Sequence, residues 1–482
     1  MRALLISTYE MGRQPFGLAS PAAWLCAAGW TVECLDLAKE RFRDESAASA
    51  DLVGFYLPMH TATRLAAPVI ERVRGLNRSA RLCAFGLYGP LNAEWLHSLG
   101  VDDVLGGEFE EELARIAAKL STTEDTEDTE EESRTDVTAV SSMSPVVERS
   151  PAVSVGSSAR AAIPRLTFLV PDRRGLPSLD RYATLQHADG RRTLVGYTEA
   201  SRGCRHLCRH CPIVPVYNGQ FRIVPSEIVL ADVANQVTAG AGHITFGDPD
   251  FFNGPTHACR IVDGLHAAHP AITYDVTIKI EHLLRHRDLL PQLRDTGCLF
   301  ITSAVESIDD DALARLDKGH TRSDFVDAVA LCRDIGVTLV PTFVAFHPWS
   351  TLDGYCDLLD TIDQLDLIDH VAPIQLAIRL LIPKGSRLLE LDDVAALVGR
   401  FDPDTLAHRW AHQDPRVDRL QQAVASLLGV NLTQDRASAF DAVRAVAYDH
   451  AGRTPDLLMP RAGSTPARDR ATVPYLNEPW YC

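Results

Sequence analysis

The chain reads as an α/β protein in three parts: a doubly wound parallel sheet, a partial (β/α)6 barrel and a helical C-terminal region. Three observations predict it. Short apolar runs of strand length alternate with helical patterns across residues 1–120, the alternation resumes across 164–389, and a polar stretch at 121–163 without that pattern divides the two.

RALLIS (2–7), TVECLDL (31–37), DLVGFYL (51–57) and RLCAFGL (81–87) are the strand candidates of the first part, and TATRLAAPVIERVRGL (61–76) is a helix between two of them. Residues 121–163 hold STTEDTEDTEEESR and then a Ser/Pro-rich run with few large apolar residues, which predicts a disordered acidic linker. From Leu194 the strand candidates are 194–199, 243–247, 273–279, 299–305, 338–345 and 372–380. Helical patterns lie between them, among them TRSDFVDAVALCRDIG, opened by Thr321 and closed by Gly336. Residues 390–482 are helix-rich to about Ala451 and then form an extended tail.

With 482 residues, 46% of them hydrophobic, the chain can build two or three cores. Its formal charge is −17, from 64 acidic and 47 basic residues. Seven of those acids lie between Glu124 and Glu132, and without them about −10 remains, the wrong sign for gripping a phosphate backbone. A small molecule is therefore expected as substrate ahead of a nucleic acid. The opening MRALLISTYEMG turns polar too soon for a signal peptide, and no stretch reaches the roughly 18 apolar residues of a membrane span, so the expected location is cytoplasmic. Eleven cysteines are too sparse for a disulfide scaffold and odd in number; reduced thiols plus one metal site fit better.

EASRGCRHLCRHCPIVPVYNG comes after the strand at 194–199 and spaces three thiols as C-x3-C-x2-C, at Cys204, Cys208 and Cys211. Three thiolates in one loop can face one iron–sulfur cluster, which ordinarily takes four. The next cysteine, Cys259, is far along the chain in a helical pattern, so one iron would stay open to a small molecule. A second reading stands beside this one: zinc, with His206 or His210 as fourth ligand.

The loop resembles that of the radical S-adenosylmethionine superfamily, with His210 where that family usually has an aromatic carbocycle. The resemblance implies a 4Fe–4S cluster, S-adenosylmethionine chelated to the open iron, reductive cleavage to a deoxyadenosyl radical, and an electron donor such as flavodoxin or ferredoxin. Gly247, Asp248, Pro249 and Asp250 match the position of the family's second motif, where backbone approaches the cofactor's ammonium group; a plain turn explains GDPD as well. By the same resemblance Lys279 meets the methionine carboxylate, unless it serves a barrel salt bridge, and Glu306 takes the ribose hydroxyls. Ile382-Pro383-Lys384-Gly385-Ser386 is similar to the family's turn at the adenine end.

Residues 51–113 resemble a cobalamin-binding domain, which implies flavodoxin-like strand order. The D-x-H-x-x-G signature is absent from STYEMGRQPFG, so cobalamin either binds without a protein ligand or the domain is a scaffold. Gly106-Gly107-Glu108 reads as the start of a helix whose acids, Glu108 to Glu112, favour its positive N-terminus. The ending VPYLNEPWYC resembles a radical-enzyme family whose tail carries Cys-Cys or Cys-selenocysteine before Ala-Glu-Pro. That resemblance implies truncation at a selenocysteine codon after Cys482; an ordinary terminal cysteine is the alternative. Cys482 is a candidate soft ligand or hydrogen donor at the barrel mouth. The expected function is a radical enzyme acting on a small metabolite or natural-product intermediate, with aminocarboxypropyl transfer to arsenic known among the tail family's relatives. The competing class is a non-catalytic zinc- or cobalamin-binding regulator.

Overall fold

A computed structural model describes residues 1–130, 166–187, 189–430, 436–453 and 475–476. In the first part, β1 (Arg2–Ser7), β2 (Thr31–Asp36), β3 (Leu52–Tyr56), β4 (Arg81–Phe85) and β5 (Asp103–Leu105) form one parallel sheet in the order β2-β1-β3-β4-β5. This is the flavodoxin-like order, with its switch point between β1 and β3. Alternate residues supply two cores. Leu4, Ile6, Val53, Phe55 and Leu82 face the helix His60–Leu76, while Leu5, Leu52, Cys83 and Phe85 face the helices Phe16–Ala27 and Glu110–Glu130. β5 has no signal in the sequence because Asp103-Val104-Leu105 is too short to show a period.

The second part pairs β6 (Thr184–Gln186) antiparallel with β7 (Arg192–Thr198). Then come a small antiparallel pair, β8 (Ser201–Gly203) with β9 (Phe221–Ile223), and four strands, β10 (His243–Phe246), β11 (Thr273–Thr277), β12 (Cys298–Glu306) and β13 (Thr338–Phe343). The last four run parallel to β7 in the order β13-β12-β11-β10-β7, a half-barrel wrapped by helices. The helix Arg322–Ile335 has the expected ends: Thr321 and Asp324 form a capping box, and Gly336 closes it at φ 83°. The sixth strand expected at 372–380 does not form. Pro373 starts a 3-10 turn there, and the Gln375 side chain, in place of a strand carbonyl, accepts the Phe343 N–H at 3.1 Å. What remains of that strand is a single bridge, Phe346 to Arg379.

The C-terminal region holds a hairpin, β14 (Val398–Asp402) with β15 (Ala407–Trp410), and the helices Pro415–Val430 and Arg436–Ala451, whose Leu420, Val424, Phe440 and Val443 enter the barrel core. β16 (Tyr475–Leu476) then pairs antiparallel with β6 at the sheet edge. In the acidic stretch the helix Glu110–Glu130 continues through residues 121–130, since neither Gly nor Pro interrupts it, contrary to a linker beginning at Ser121. The remainder of the linker reading, 131–163, lies outside the described residues. Among the described residues no helix is long and apolar enough to cross a membrane.

The C-terminal edges of the two sheets face each other. Glu110 pairs with Arg202 at 2.7 Å and Glu108 with Arg222 at 2.8 Å, while Phe16, just after β1, packs edge-on against Tyr197 of β7. Glu108 thus holds the barrel instead of starting the helix, which begins at Glu110. Both partners of the Arg202–Glu110 pair are buried, a costly arrangement that selects one docking geometry because any other strands a charge.

Candidate active site at the cysteine loop

The loop that carries Cys204, Cys208 and Cys211 begins where β8 ends. Gly203 there has φ +74°, and a Cβ on it would stand 2.5 Å from the Gln220 carbonyl, so the turn into Cys204 requires glycine. The loop is fastened along its length. Arg205 N–H donates to Asn253 Oδ1 at 3.2 Å, Arg209 N–H to the Leu316 carbonyl at 2.9 Å, and Cys211 N–H to the Cys208 carbonyl at 3.1 Å. Asn253 Oδ1 also lies 3.9 Å from Cys204 Sγ. Burial pushes the Cys211 thiol up to about 12 and raises Cys204 as well. Without a bound cation these two thiols stay protonated, so metal uptake releases protons.

A single tetrahedral zinc, with Zn–S near 2.3 Å, needs its sulfurs about 3.8 Å apart. Among the described residues the one set of metal-ligating atoms gathered within 4.8 Å is His206, Asp250 and His282, not the three cysteines. The three thiols are thus not all within 4.8 Å of one another, a wider set than the roughly 3.8 Å spacing around a single tetrahedral zinc. The other described barrel cysteines are built into secondary structure: Cys259, Cys332 and Cys356 in helices, Cys298 in β12.

Each histidine of the loop reaches one of the site residues read from the sequence. His210 Nε2 is 3.1 Å from Glu306 Oε1, which also faces Lys318 Nζ at 3.5 Å. Burial alone would raise the Glu306 carboxyl, but Lys318 and His210 outweigh it and hold it at about 2. Glu306 has φ +70°, a conformation non-glycine residues rarely adopt, because β12 breaks register with β13 at this point. His206 turns the other way, with Nδ1 3.0 Å from Lys279 Nζ and Nε2 3.4 Å from Asp250 Oδ2. Lys279 also lies 3.6 Å from Glu281, so the salt-bridge alternative is present in the structure.

The turn after β10 divides its tasks differently from the sequence reading. A Cβ on Gly247 would fall 1.8 Å from the Tyr197 hydroxyl, so this glycine makes room for a tyrosine ring. Asp248 is buried and accepts from Ala200 N–H at 2.9 Å and Ser201 Oγ at 2.5 Å, bracing the chain just ahead of the cysteines. Pro249 is half-buried and Asp250 fully buried. Beside Glu306 lies a cavity of about 120 Å³, with Ser307, Arg322, His347 and Tyr355 in its wall. The turn Ile382–Ser386 abuts the loop through Ser386 Oγ, which donates to the Arg209 carbonyl, and touches the first sheet through Lys384 and Glu94. Cys482 lies outside the described residues. The contributions of Asn253 and His282 were unreadable in the sequence, since each lies on a helix or turn whose direction only the fold supplies.

Residues 198–361 match the family model of the Radical SAM superfamily. They are a radical SAM enzyme domain. The tRNA-2-methylthio-N(6)-dimethylallyladenosine synthase of Chlorobium luteolum is 23% identical over 302 residues, 59% of this chain and 60% of that one. The hopanoid C-3 methylase of Methylococcus capsulatus is 22% identical over 151 residues, 31% of this chain and 29% of that one. This chain therefore spans less than two thirds of the length of these curated relatives. Among solved structures, the cobalamin-dependent S-adenosylmethionine radical enzyme OxsB, with aqua-cobalamin and S-adenosylmethionine bound, covers 93% of this chain and aligns over 72% of its own at TM-score 0.66 and 14% identity. The radical S-adenosylmethionine methyltransferase TsrM from Kitasatospora setae, with cobalamin and a [4Fe-4S] cluster, covers 76% of this chain and 70% of its own at TM-score 0.54 and 17% identity. At such identities the likeness is one of fold, and with OxsB it extends through the first sheet as well as the radical SAM domain.

Proposed function

We propose that Cys204, Cys208 and Cys211 hold a 4Fe–4S cluster and that the chain cleaves S-adenosylmethionine reductively to act on a small molecule. The observation that carries this is the spread thiol triad at the C-terminal edge of the half-barrel, with its other cysteines locked in helices and strands. When bound, the cluster supplies the electron that breaks a sulfur–carbon bond. The chain's own residues orient the cofactor. Backbone carbonyls of 247–250 accept from its ammonium, Lys279 meets its carboxylate, and Glu306, whose contacts to His210 and Lys318 use Oε1, offers Oε2 to the ribose hydroxyls beside the 120 Å³ cavity.

Cobalamin fits the contact between the two sheet edges. Ser7 Oγ and Glu10 Oε2, at and just beyond the end of β1, are buried without hydrogen-bond partners, as groups that take up a corrinoid's amide side chains would be before it binds. The loop STYEMG supplies no histidine, so a bound cobalamin would take no ligand from this loop. The tail is assigned a part too. β16 runs antiparallel to β6 and so parallel to β7, which directs the chain at Leu476 toward the cluster edge; six further residues, about 20 Å when extended, lead to Cys482. An electron donor of the flavodoxin or ferredoxin kind completes the reading.

The test is anaerobic reconstitution followed by strong reduction with S-adenosylmethionine. Deoxyadenosine is the expected product, and methylthioadenosine would instead indicate aminocarboxypropyl transfer. Neither product from cluster-replete protein would overturn the proposal. Aqua-cobalamin retained through gel filtration by the wild-type chain tests the second cofactor, and deletion of residues 477–482 should leave cofactor cleavage intact while lowering turnover of a confirmed substrate.

A further inference from the structure

Beside the thiol triad, three other metal-ligating atoms converge. His206 comes from the cysteine loop, Asp250 from the turn after β10, and His282 from the short helix Ile280–Arg285 after β11. These are the C-terminal ends of three neighbouring strands, so the fold itself brings the groups together. Asp250 Oδ2 lies 2.7 Å from His282 Nδ1 and 3.4 Å from His206 Nε2, and all three atoms fall within 4.8 Å of one another. Each is buried, yet none is aligned in a hydrogen bond. Ligands about 2.0–2.1 Å from a tetrahedral metal stand roughly 3.3 Å apart, and the two Asp250–histidine separations bracket that value.

The surroundings suit a cation. Asp250 is fully buried, and its Oδ1 takes the Phe252 N–H at 3.1 Å, which fixes Oδ2 toward the histidines. The His282 ring is held between His206 and His286, at centroid distances of 4.7 and 5.6 Å. Metal on His206 Nε2 places the ring proton on Nδ1, and Glu281 Oε2, 3.7 Å away, is the carboxylate that would receive it. Lys279 Nζ now occupies that nitrogen at 3.0 Å, and an ammonium cannot face an N–H. Metal uptake would therefore release Lys279 toward Glu281.

We infer that His206, Asp250 and His282 form a mononuclear site for a divalent first-row transition metal such as Zn²⁺ or Fe²⁺, separate from the thiol triad. Two imidazoles and one carboxylate leave coordination positions open to water or another ligand. The site stands on its own three atoms and does not depend on the nature of the cluster.

The experiment uses Co²⁺ as probe on anaerobically reconstituted, cluster-containing, corrinoid-free protein. One equivalent should survive desalting, with ligand-field bands and without thiolate-to-cobalt charge transfer, while cluster iron is unchanged; Zn²⁺ in excess should displace it. His282→Gln and Asp250→Asn should each retain less than a tenth of an equivalent with cluster iron intact. If either variant loses its cluster as well, the wild-type spectrum decides, nitrogen–oxygen ligation supporting the site and thiolate ligation sinking it. The inference also fails if wild-type protein binds no cobalt, if both variants bind it unchanged, or if S-adenosylmethionine expels it, which would make these groups part of the amino-acid pocket.

Discussion

The molecule contains two parallel sheets whose C-terminal edges meet, and they close those edges in opposite ways. In the first, Tyr56, Phe85 and Phe109 stack at centroid distances of 4.6 to 6.2 Å, and a Cβ on Gly17 would already strike the Tyr56 ring at 2.2 Å. In the second, the same position in the β/α unit carries thiols, imidazoles and carboxylates: Cys204 to Cys211, His206, Asp250, Lys279 and Glu306. Strand geometry does not distinguish the two. The difference lies in the residues at and just past the end of each strand. Aromatic rings pack part of the first edge, beside the buried Ser7 and Glu10, whereas polar groups bound to one another line the second.

Breaking either edge should have distinct consequences. The largest effect is expected from replacing Cys204, Cys208 and Cys211 by Ala, which should abolish bound iron and sulfide while circular dichroism still reports both sheets. A full cluster spectrum in that variant would refute the ligand assignment. In the first sheet, Phe85→Ala should cost about 3–5 kcal/mol of stability by opening a cavity between buried rings. Denaturant unfolding would show it, and iron content at low denaturant should stay unchanged.

The two edges should also respond to acid with opposite sign. Asp36, at the end of β2, is raised by burial to about 6. Its contribution is complete below the ordinary carboxylate range near 3.8 and is lost as pH climbs through about 6. His347, beyond β13, is lowered by burial to about 4, so its contribution is complete above 6.5 and is lost as pH falls through about 4. Each shift corresponds to about 3 kcal/mol at most. Between pH 4 and 6, amide protection factors, corrected for the intrinsic pH dependence of exchange, should therefore fall in β2 and rise in β13 as pH rises, and Asp36→Asn and His347→Gln should each flatten one of the two trends. Parallel behaviour of both strands would show that other groups govern the acid response.

The smallest effect is expected at Glu306. Glu306→Gln should weaken S-adenosylmethionine binding about tenfold to a hundredfold, the loss of one charge-assisted hydrogen bond worth on the order of 1.5–3 kcal/mol, with iron content retained. An unchanged dissociation constant would reduce Glu306 to a strut between His210 and Lys318.

Much of this was legible in the chain alone. Apolar runs of strand length placed β1 to β4 of the first sheet and five of the barrel strands, because residues buried on both faces of a parallel sheet must be apolar over a continuous stretch. The C-x3-C-x2-C spacing marked the metal-binding loop, since a local turn can present three thiols without help from the rest of the fold. What the sequence could not decide is which way each polar residue turns. Residues 372–380 carry the apolar pattern of a strand, yet Pro373 and the Gln375 side chain end the ladder at β13. Asp248 and Asp250 look equivalent in GDPD, yet a two-residue step reverses their direction, and one braces the loop while the other faces His206 and His282. Such roles depend on groups brought together from about 30 to about 100 positions apart, and only the tertiary fold sets those distances.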